Sequence, residues 1–243
     1  MSESSSVLEA ANDILSQRGV YSVWGFTSVV YERGDVLSFL LGILSLAPVA
    51  LIIVSMVVAI VLRVVSQKHT HHGVTLTTGR TPTTTVAASP AVEVMDSLLG
   101  GMLVNFVISY VLKKLIRQPR PEHPWEQARR RDHGMPSNHS QMMFHYCVAT
   151  AFIINRSWSA AGVDTRHRCL KVVQSCLLLL LAALVAWSRV YNHYHTLEQV
   201  LVGMVLGVGM AVFFEKGGRS AMRRFSAVFI APTMNLLGWC CAM

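Results

Sequence analysis

A stretch of 27 residues, from 36 to 62, contains no charged side chain and is almost entirely apolar. At about 1.5 Å per residue, a helix of this length crosses the roughly 30 Å hydrocarbon core of a bilayer with some tilt. Only 14% of the whole chain is charged, against roughly 25% in an ordinary soluble domain. The stretch therefore predicts a membrane-spanning helix, which Pro48 is expected to kink, and argues against a soluble single-core protein.

More apolar stretches follow the first, and together they predict an all-α, polytopic membrane helical bundle with five or six transmembrane helices. The last part of the chain, 225–243, is apolar but contains Pro232 and Asn235, so we expect either a sixth span or an interfacial segment. The other predicted spans cover 93–116, 138–155, 170–187 and 197–214.

Single residues in these spans predict helix contacts. Glu93, Asp96 and Asn105 are costly in hydrocarbon, so we expect them to face other helices or to lie near a helix end. Gly203 and Gly207 have the spacing of small residues that allow two helices to approach closely.

The polar parts of the chain lie between and before the spans. Residues 1–35 lack the basic start and apolar core of a secretory signal, so the first apolar stretch is expected to be retained. Residues 63–91 are rich in Thr, His and Gly and predict a flexible connector. Its histidines, His69, His71 and His72, are a candidate zinc cluster, although solvated loop histidines are the favoured interpretation. The five cysteines lack metal-type spacing and are expected to act as small hydrophobic residues.

The formal net charge of +8 fits two interpretations, positive flanks of spans or a site that binds anions. Alternation of loops across the membrane places loops 117–137 and 188–196 on the side of the N-terminus. Ten Lys and Arg lie on that side and eleven on the other, so the charge rule leaves the orientation undecided. The positive groups at 156–171 and 216–224 are expected to be flanks.

Three short segments on the shared side combine cations with histidines at span edges. They are KKLIRQPRP at 113–121, MPSNHS at 135–140 and SRVYNHYH at 188–195. Lys and Arg bind phosphoryl oxygens, and the first amides of a helix have no intrahelical partners. Together the segments predict a phosphate-binding site.

Each part of this pattern also has a simpler explanation. Lys and Arg at span edges are usually interfacial anchors, and a lone histidine near a helix start is usually structural. Thr196 and Gln199 have the spacing of a capping box, which would make part of the third segment merely a helix start. The recurrence of all the parts on one side favours a site over these alternatives.

The three segments resemble the signature motifs of the type 2 phosphatidic acid phosphatase superfamily of membrane lipid phosphatases. The family pattern is Lys, six residues, Arg-Pro; then Pro-Ser-Gly-His; then Ser-Arg, five residues, His, three residues, Asp. The matching residues here are Lys113, Arg120, Ser137, His139, Ser188, Arg189 and His195.

Two positions depart from the broad family pattern. Asn138 stands where the family has Gly, and Gln199 stands where it has Asp. The dolichyl diphosphatase branch is similar to this chain at both positions, within sequences resembling GMPSxHSQ and SRVYxxYHTxxQV. The chain has GMPSNHSQ at 134–141 and SRVYNHYHTLEQV at 188–200. The resemblance implies a membrane-embedded phosphatase domain over residues 36–243.

The resemblance also implies a role for each motif residue. His195 is the expected nucleophile, which forms a phosphohistidine, and His139 the acid and base of the two steps. Gln199 and Ser188 are expected to orient His195, and Ser188 is alternatively a phosphate donor or a helix-edge cap. Side-chain cations take the place of a metal, and no cofactor is expected. The residues implied to bind the substrate phosphate are Lys113, Arg120, Ser137, Asn138 and Arg189.

The implied activity is hydrolysis of dolichyl diphosphate to dolichyl phosphate and phosphate, which recycles the lipid carrier of protein N-glycosylation. The implied location is the endoplasmic reticulum membrane with the site facing the lumen, and the implied partner is a polyprenyl diphosphate, not nucleic acid. Two alternatives stay open. The site can act on another lipid phosphate, such as phosphatidate, a sphingoid-base phosphate or undecaprenyl diphosphate. The second alternative is a catalytically silent lipid-binding protein, because Gln199 offers no charge to an imidazolium.

Overall fold

The computed structural model describes residues 21–24, 29–74, 90–123, 133–160 and 168–242. Within these ranges two short strands precede a bundle of helices. The elements are β1 (Tyr21–Trp24), β2 (Val29–Glu32), α1 (Val36–Leu44), α2 (Ala47–Val74), α3 (Pro90–Ile116), α4 (Asn138–Ala160), α5 (Arg168–Tyr191), α6 (Leu197–Lys216), α7 (Arg219–Phe229) and α8 (Ala231–Ala242).

Four helical segments of the described chain are long and apolar enough to cross a membrane. They correspond to the first, second, fourth and fifth predicted spans and confirm a polytopic helical membrane protein. The total of five or six spans stays a prediction. The four segments are Val36–Ser66, which joins α1 to most of α2, Pro90–Ile116, Cys169–Tyr191 and Leu197–Lys216.

Helix α4 begins where the third span was expected, but it is too polar to be counted with those four. Its Gln141 and His145 side chains are at most 2% exposed, because α4 packs against α3, α5 and α6. Its polar groups therefore meet protein rather than lipid. The apolar tail 225–243 does not form one continuous helix: α7 ends at Phe229 and α8 begins at Ala231.

The first span is interrupted just before Pro48, and the expected kink stays a prediction. Helix α1 ends at Leu44 and α2 begins at Ala47. Pro48 therefore lies in the first turn of α2, where its missing N–H removes no helical hydrogen bond. The predicted start of a flexible connector at residue 63 is wrong, because α2 continues to Val74. The side chains of the three connector histidines lie outside the described residues.

A β-hairpin precedes the helices, which the all-α prediction and the polar N-terminal segment missed. Strands β1 and β2 pair antiparallel, with Tyr21 opposite Glu32. The amide of Val30 donates to the hydroxyl of Tyr194 at 3.2 Å. Asp35 then caps α1 by accepting from the amides of the next turn. The hairpin thus lies against the turn between α5 and α6.

Helices α4 and α6 approach at backbone distance, and the two predicted glycines lie at this contact. A Cβ added at Gly203 would lie 2.6 Å from the carbonyl oxygen of Ser137. A Cβ at Gly207 would overlap the carbonyl oxygen of Gln141, whereas Gly209 faces open space. The predicted close contact is therefore confirmed, and its partner is α4.

Buried polar pairs join the helices, as expected for polar residues in apolar spans. Asp96 accepts two hydrogen bonds from Arg63, at 2.5 and 2.6 Å, and Arg63 also donates to Asn235 at 2.8 Å. Asn105 accepts from the side chain of Gln141 at 2.6 Å. Pairing of this kind keeps a charged group in a low-dielectric setting.

The cysteines differ in their surroundings. Cys147 is fully buried in the apolar core between α4 and α5, as expected of a small hydrophobic residue. Cys169 and Cys176 are exposed on α5. The side chains of Cys240 and Cys241 lie outside the described residues.

Candidate active site

The three motif segments meet at one end of the bundle around a cavity of about 220 Å³. Six of the predicted site residues line it, whereas Ser137, Ser188 and Gln199 do not. Both histidines therefore share one cavity with three cations. The lining residues are Phe106, Ser109, Tyr110, Lys113, Arg120, Asn138, His139, Arg189 and His195.

His195 is positioned by the turn that ends α5. His193 adopts a left-handed conformation, with φ of 55°, and such a residue stops a helix and turns the chain back. The amides of Tyr194 and His195 then both donate to the carbonyl oxygen of Arg189, at 2.9 and 3.0 Å. The turn therefore fixes His195 relative to Arg189, a cation of the same cavity.

Hydrogen bonds determine which ring nitrogen of His195 carries the proton. Nε2 lies 2.9 Å from Nη1 of Arg120, a guanidinium that can only donate. Nδ1 lies 3.0 Å from Oε1 of Gln199. The Gln199 amide nitrogen donates to the Pro119 carbonyl at 2.8 Å and to Gln118 Oε1 at 3.1 Å, which fixes the amide orientation. His195 is therefore protonated on Nδ1 and has its lone pair on Nε2.

The surroundings of His195 also favour its neutral form. Burial lowers the pKa of its imidazole well below the ordinary value of 6.5. The Arg120, Arg189 and Lys113 charges lower that pKa further, and only the hydrogen bond to Gln199 acts in the opposite direction. At neutral pH the ring is thus an uncharged base next to three cations.

Gln199 serves two purposes that sequence reasoning treated as alternatives. Its backbone N–H donates to the hydroxyl of Thr196 at 3.3 Å, and its side-chain Oε1 accepts from the backbone N–H of Thr196 at 3.3 Å. This is a complete capping box at the start of α6. The same Oε1 is the partner of His195. Glu198 is exposed, as expected of a residue on another face of the helix.

The cations are held by the backbone and by an aromatic ring. Lys113 donates from Nζ to the carbonyl oxygen of His133 at 2.9 Å. Arg120 donates to the carbonyl oxygen of Tyr194 at 3.0 Å. The guanidinium carbon of Arg189 lies 4.1 Å from the centre of the Tyr194 ring, a favourable cation–π arrangement in a buried setting. Each charge is therefore positioned before any ligand binds.

Ser137 and Ser188 lie behind the cavity wall. The amide of Ser137 donates to the Gln199 carbonyl at 2.9 Å, and its fully buried hydroxyl has no hydrogen-bond partner among the described residues. The hydroxyl of Ser188 donates to the Val185 carbonyl of its own helix at 2.6 Å. The structure therefore does not place Ser188 as a phosphate donor or as the residue that orients His195.

The segment before the first span braces the turn that carries His195. Tyr191 donates to a carboxylate oxygen of Asp35 at 2.7 Å, and this hydrogen bond lowers the pKa of Asp35. Ser38 donates to the side chain of Asn192 at 2.9 Å. Together with the hairpin contact to Tyr194, these bonds tie residues about 150 positions apart in sequence. No motif or spacing in the sequence signals them.

Sequence reasoning also missed three cavity residues on α3, namely Phe106, Ser109 and Tyr110. Ser109 precedes Lys113 by four residues, which places both side chains on one face of the helix. That spacing is the signal that could have identified it.

The four apolar helices define a polytopic membrane protein. The cavity at their ends, lined by two histidines and three cations, defines an anion-binding type of site. Comparison with known proteins gives the family. The sequence profile of the PAP2 superfamily matches residues 96–219, and the chain therefore belongs to this superfamily of phosphatases.

Several relatives have the same name, dolichyldiphosphatase. The chain is 33% identical to Dolichyldiphosphatase 1 of Homo sapiens over 187 residues, which cover 76% of this chain and 67% of that protein. It is 37% identical to Dolichyldiphosphatase 1 of Dictyostelium discoideum over 113 residues, 46% of this chain and 47% of that protein. The Saccharomyces cerevisiae dolichyldiphosphatase is 37% identical over 123 residues, 48% and 49% of the two chains. The chain thus spans about half to two thirds of the length of these relatives.

A solved structure has the same fold. The crystal structure of a transmembrane PAP2 type phosphatidylglycerolphosphate phosphatase from Bacillus subtilis aligns with a TM-score of 0.53 at 18% identity. The alignment covers 90% of this chain and 89% of that one. The bundle is therefore a transmembrane PAP2 fold.

Proposed function

We propose that this protein is a membrane-bound hydrolase that cleaves the phosphoric anhydride of dolichyl diphosphate and gives dolichyl phosphate and inorganic phosphate. The observation that carries the proposal is the state of His195: neutral, with its lone pair on Nε2, inside a cavity with three cations. The names of the relatives support the choice of substrate.

The first chemical step is attack of His195 on the terminal phosphorus. A bond forms between Nε2 and phosphorus, and the bond from phosphorus to the bridging oxygen breaks. His139 gives a proton to that oxygen, so that dolichyl phosphate leaves. Gln199 accepts the Nδ1–H hydrogen bond throughout, which keeps the tautomer that attack requires.

The second step returns the enzyme to its starting state. His139, now neutral, takes a proton from water, which attacks the phosphorus of the phosphohistidine. The bond between nitrogen and phosphorus breaks, inorganic phosphate leaves, and His195 regains its lone pair. The two steps share one site because the attacking water occupies the place of the leaving oxygen.

Positive charge around the phosphoryl oxygens stabilises both transition states. Lys113, Arg120 and Arg189 supply it, assisted by helix-start amides next to Asn138. Arg120 exchanges its contact with Nε2 for a phosphoryl oxygen when the substrate enters. These fixed cations provide the charge that a metal ion supplies in other phosphatases, so the reaction requires no metal.

The position of the cavity suits a lipid substrate. It lies at the ends of membrane-spanning helices, where a headgroup can meet the cations while the polyprenyl tail stays in the bilayer. We infer an endoplasmic reticulum membrane with the site on the lumenal side, where the carrier lipid of N-glycosylation is recycled.

The test is phosphate release from dolichyl diphosphate by the purified full-length chain in the presence of a chelator. We expect chelator-resistant release, its loss in His195→Ala, and an acid-labile phosphoprotein during turnover of the parent. Leu197→Ala, an exposed position two residues away, is the matched control and should retain activity. Chelator-sensitive release, or release that persists in His195→Ala, would overturn the mechanism.

Parallel assays separate the alternatives. Faster release from phosphatidate or a sphingoid-base phosphate than from dolichyl diphosphate would assign another lipid substrate. Lipid binding without turnover, unchanged in His195→Ala, would identify a silent lipid-binding protein.

A further inference from the structure

Ser109 on α3 contributes a hydroxyl group to the cavity that the proposed mechanism does not use. Its side chain is 1% exposed and lines the same cavity as His139 and His195. Its Oγ has no hydrogen-bond partner among the described residues. A buried hydroxyl without a partner costs free energy, so its presence in a ligand cavity suggests that a ligand supplies the partner.

Two other helical serines among the described residues satisfy their hydroxyl groups within their own helix. Ser188 donates to the carbonyl of Val185, three residues earlier, and Ser157 donates to that of Ile153, four residues earlier. This bond to the preceding turn is the ordinary arrangement for serine in an apolar helix. Ser109 does not make it, and its hydrogen remains available to a group in the cavity.

The position of Ser109 along α3 decides which part of a ligand it meets. It precedes Lys113 by one turn, so the two side chains share a face and are separated by about 6 Å along the helix axis. Helix α3 ends at Ile116, on the side of the motif loops. Ser109 therefore lies further into the membrane than Lys113, and the lining next to it is aromatic, from Phe106 and Tyr110.

A lipid diphosphate places its two phosphates one after the other along the direction from Lys113 to Ser109. The terminal phosphate belongs with the three cations and His195, and the phosphate attached to the lipid lies nearer the bilayer. A lipid monophosphate has no group at that second place.

We propose that Ser109 donates a hydrogen bond to the lipid-linked phosphate and thereby makes the site prefer lipid diphosphates to monophosphates. The inference rests on the proposed function, since it assigns the cations to the terminal phosphate. Ser109 is then a substrate-binding residue outside the three motifs.

Binding of two small probes tests this directly. Methylene diphosphonate carries both phosphate-like groups and cannot be hydrolysed, whereas inorganic phosphate carries one. Calorimetric titration of the detergent-solubilised full chain should show about tenfold weaker binding of the diphosphonate in Ser109→Ala, with phosphate affinity changed by less than about twofold. Ser109→Thr keeps the hydroxyl and should restore diphosphonate binding. Ser157→Ala is the control for loss of a serine hydroxyl elsewhere.

The outcomes separate this inference from the proposed function. Equal weakening for both probes, no weakening for either, or failure of Ser109→Thr to restore binding would overturn the role of Ser109, whatever the parent hydrolyses. Absence of measurable diphosphonate binding in the parent would overturn it as well. A parent that binds the diphosphonate through Ser109 but releases no phosphate from any lipid would instead refute the proposed hydrolase.

Discussion

Gln199 accepts the Nδ1 hydrogen of His195 across 3.0 Å, and its amide nitrogen is held 2.8 Å from the carbonyl oxygen of Pro119. The same nitrogen also donates to Oε1 of Gln118. A glutamate in this place would put a carboxylate oxygen where the amide nitrogen of Gln199 now donates. That oxygen would face two other acceptors, the Pro119 carbonyl oxygen and Oε1 of Gln118. The glutamine that departs from the broad family pattern is therefore the residue that these surroundings require.

Substitution of Gln199 is expected to separate stability from catalysis. Gln199→Glu should lower the free energy of unfolding by about 1–3 kcal/mol, because buried acceptors then face each other. Gln199→Ala removes the partner of Nδ1 and should lower kcat by about 100-fold, less than the roughly 10⁴ of a triad in which the tautomer is reversed. Thermal unfolding and kcat in detergent measure both effects. Glu198→Ala, exposed on the same turn, is the control, and a Gln199→Ala enzyme of full activity would contradict the assigned role.

The pH dependence of the reaction follows from the lowered pKa of His195. Since burial and the Arg120 and Arg189 charges disfavour the imidazolium, kcat/KM should lose its His195-dependent activity only well below pH 6.5. A carboxylate at position 199 would favour the imidazolium, so Gln199→Glu should move this acid limb to higher pH. A limb at the same pH in both enzymes would show that His195 does not determine it.

Protein stability should also depend on His195, with a defined sign. In the unfolded chain the imidazole takes up a proton near its ordinary pKa of 6.5, whereas in the folded chain it resists protonation. The unfolded state therefore binds more protons below that pH, and stability should fall as the pH drops below about 6.5. The unfolding temperatures of the parent and of His195→Ala, measured across this range, isolate the contribution of His195. The fall in unfolding temperature with decreasing pH should be smaller in the variant.

Tyr194 is expected to act through its ring on Arg189 and through its hydroxyl on the hairpin. Tyr194→Leu removes the ring below the guanidinium, an interaction of about 1–2 kcal/mol in a buried setting, and should lower kcat/KM about tenfold. Tyr194→Phe keeps the ring and loses the bond from the Val30 amide. It should cost about 1 kcal/mol of stability and leave kcat/KM within a few-fold. Equal loss of activity in both variants would argue against the cation–π role.

Two glycines two residues apart on α6 provide a matched test of helix packing. A methyl group at Gly207 would overlap the Gln141 carbonyl, so Gly207→Ala should destabilise the fold by about 1–3 kcal/mol or more. Gly209 faces open space, so Gly209→Ala should leave the unfolding temperature unchanged or raise it. Thermal unfolding in detergent measures both, and the prediction fails if the two variants behave alike.

Much of the bundle could be predicted from sequence because lipid imposes length and composition on each span. The stretch from 36 to 62 and the cations at span edges are local signals of this kind. The three motifs converge because each lies at a span end on the same side, which follows from alternation of the loops. The cavity residues Lys113, Arg120, His139, Arg189 and His195 can therefore be identified from the sequence.

The remaining features depend on contacts between residues far apart in sequence. Arg63 looks like the end of a span, yet it is buried and paired with Asp96, 33 residues later, and α2 continues past it. Helix α4 carries polar groups that hydropathy penalises, yet they face other helices. The hairpin that reaches Tyr194 and the left-handed turn at His193 have no signal in residue spacing. Ser188 matched a motif position, but its hydroxyl is used within its own helix.

The close contact at Gly203 and Gly207 joins the two helices that carry the catalytic histidines. His139 lies in the first turn of α4, and His195 lies directly before α6. A change in the distance between them would require two backbones already in van der Waals contact to separate. Helix α3 meets α4 through side chains instead, including Asn105 and Gln141. Adaptation of this fold to lipid headgroups of different size is therefore expected to proceed by substitutions on α3, while the spacing of the histidines stays constant.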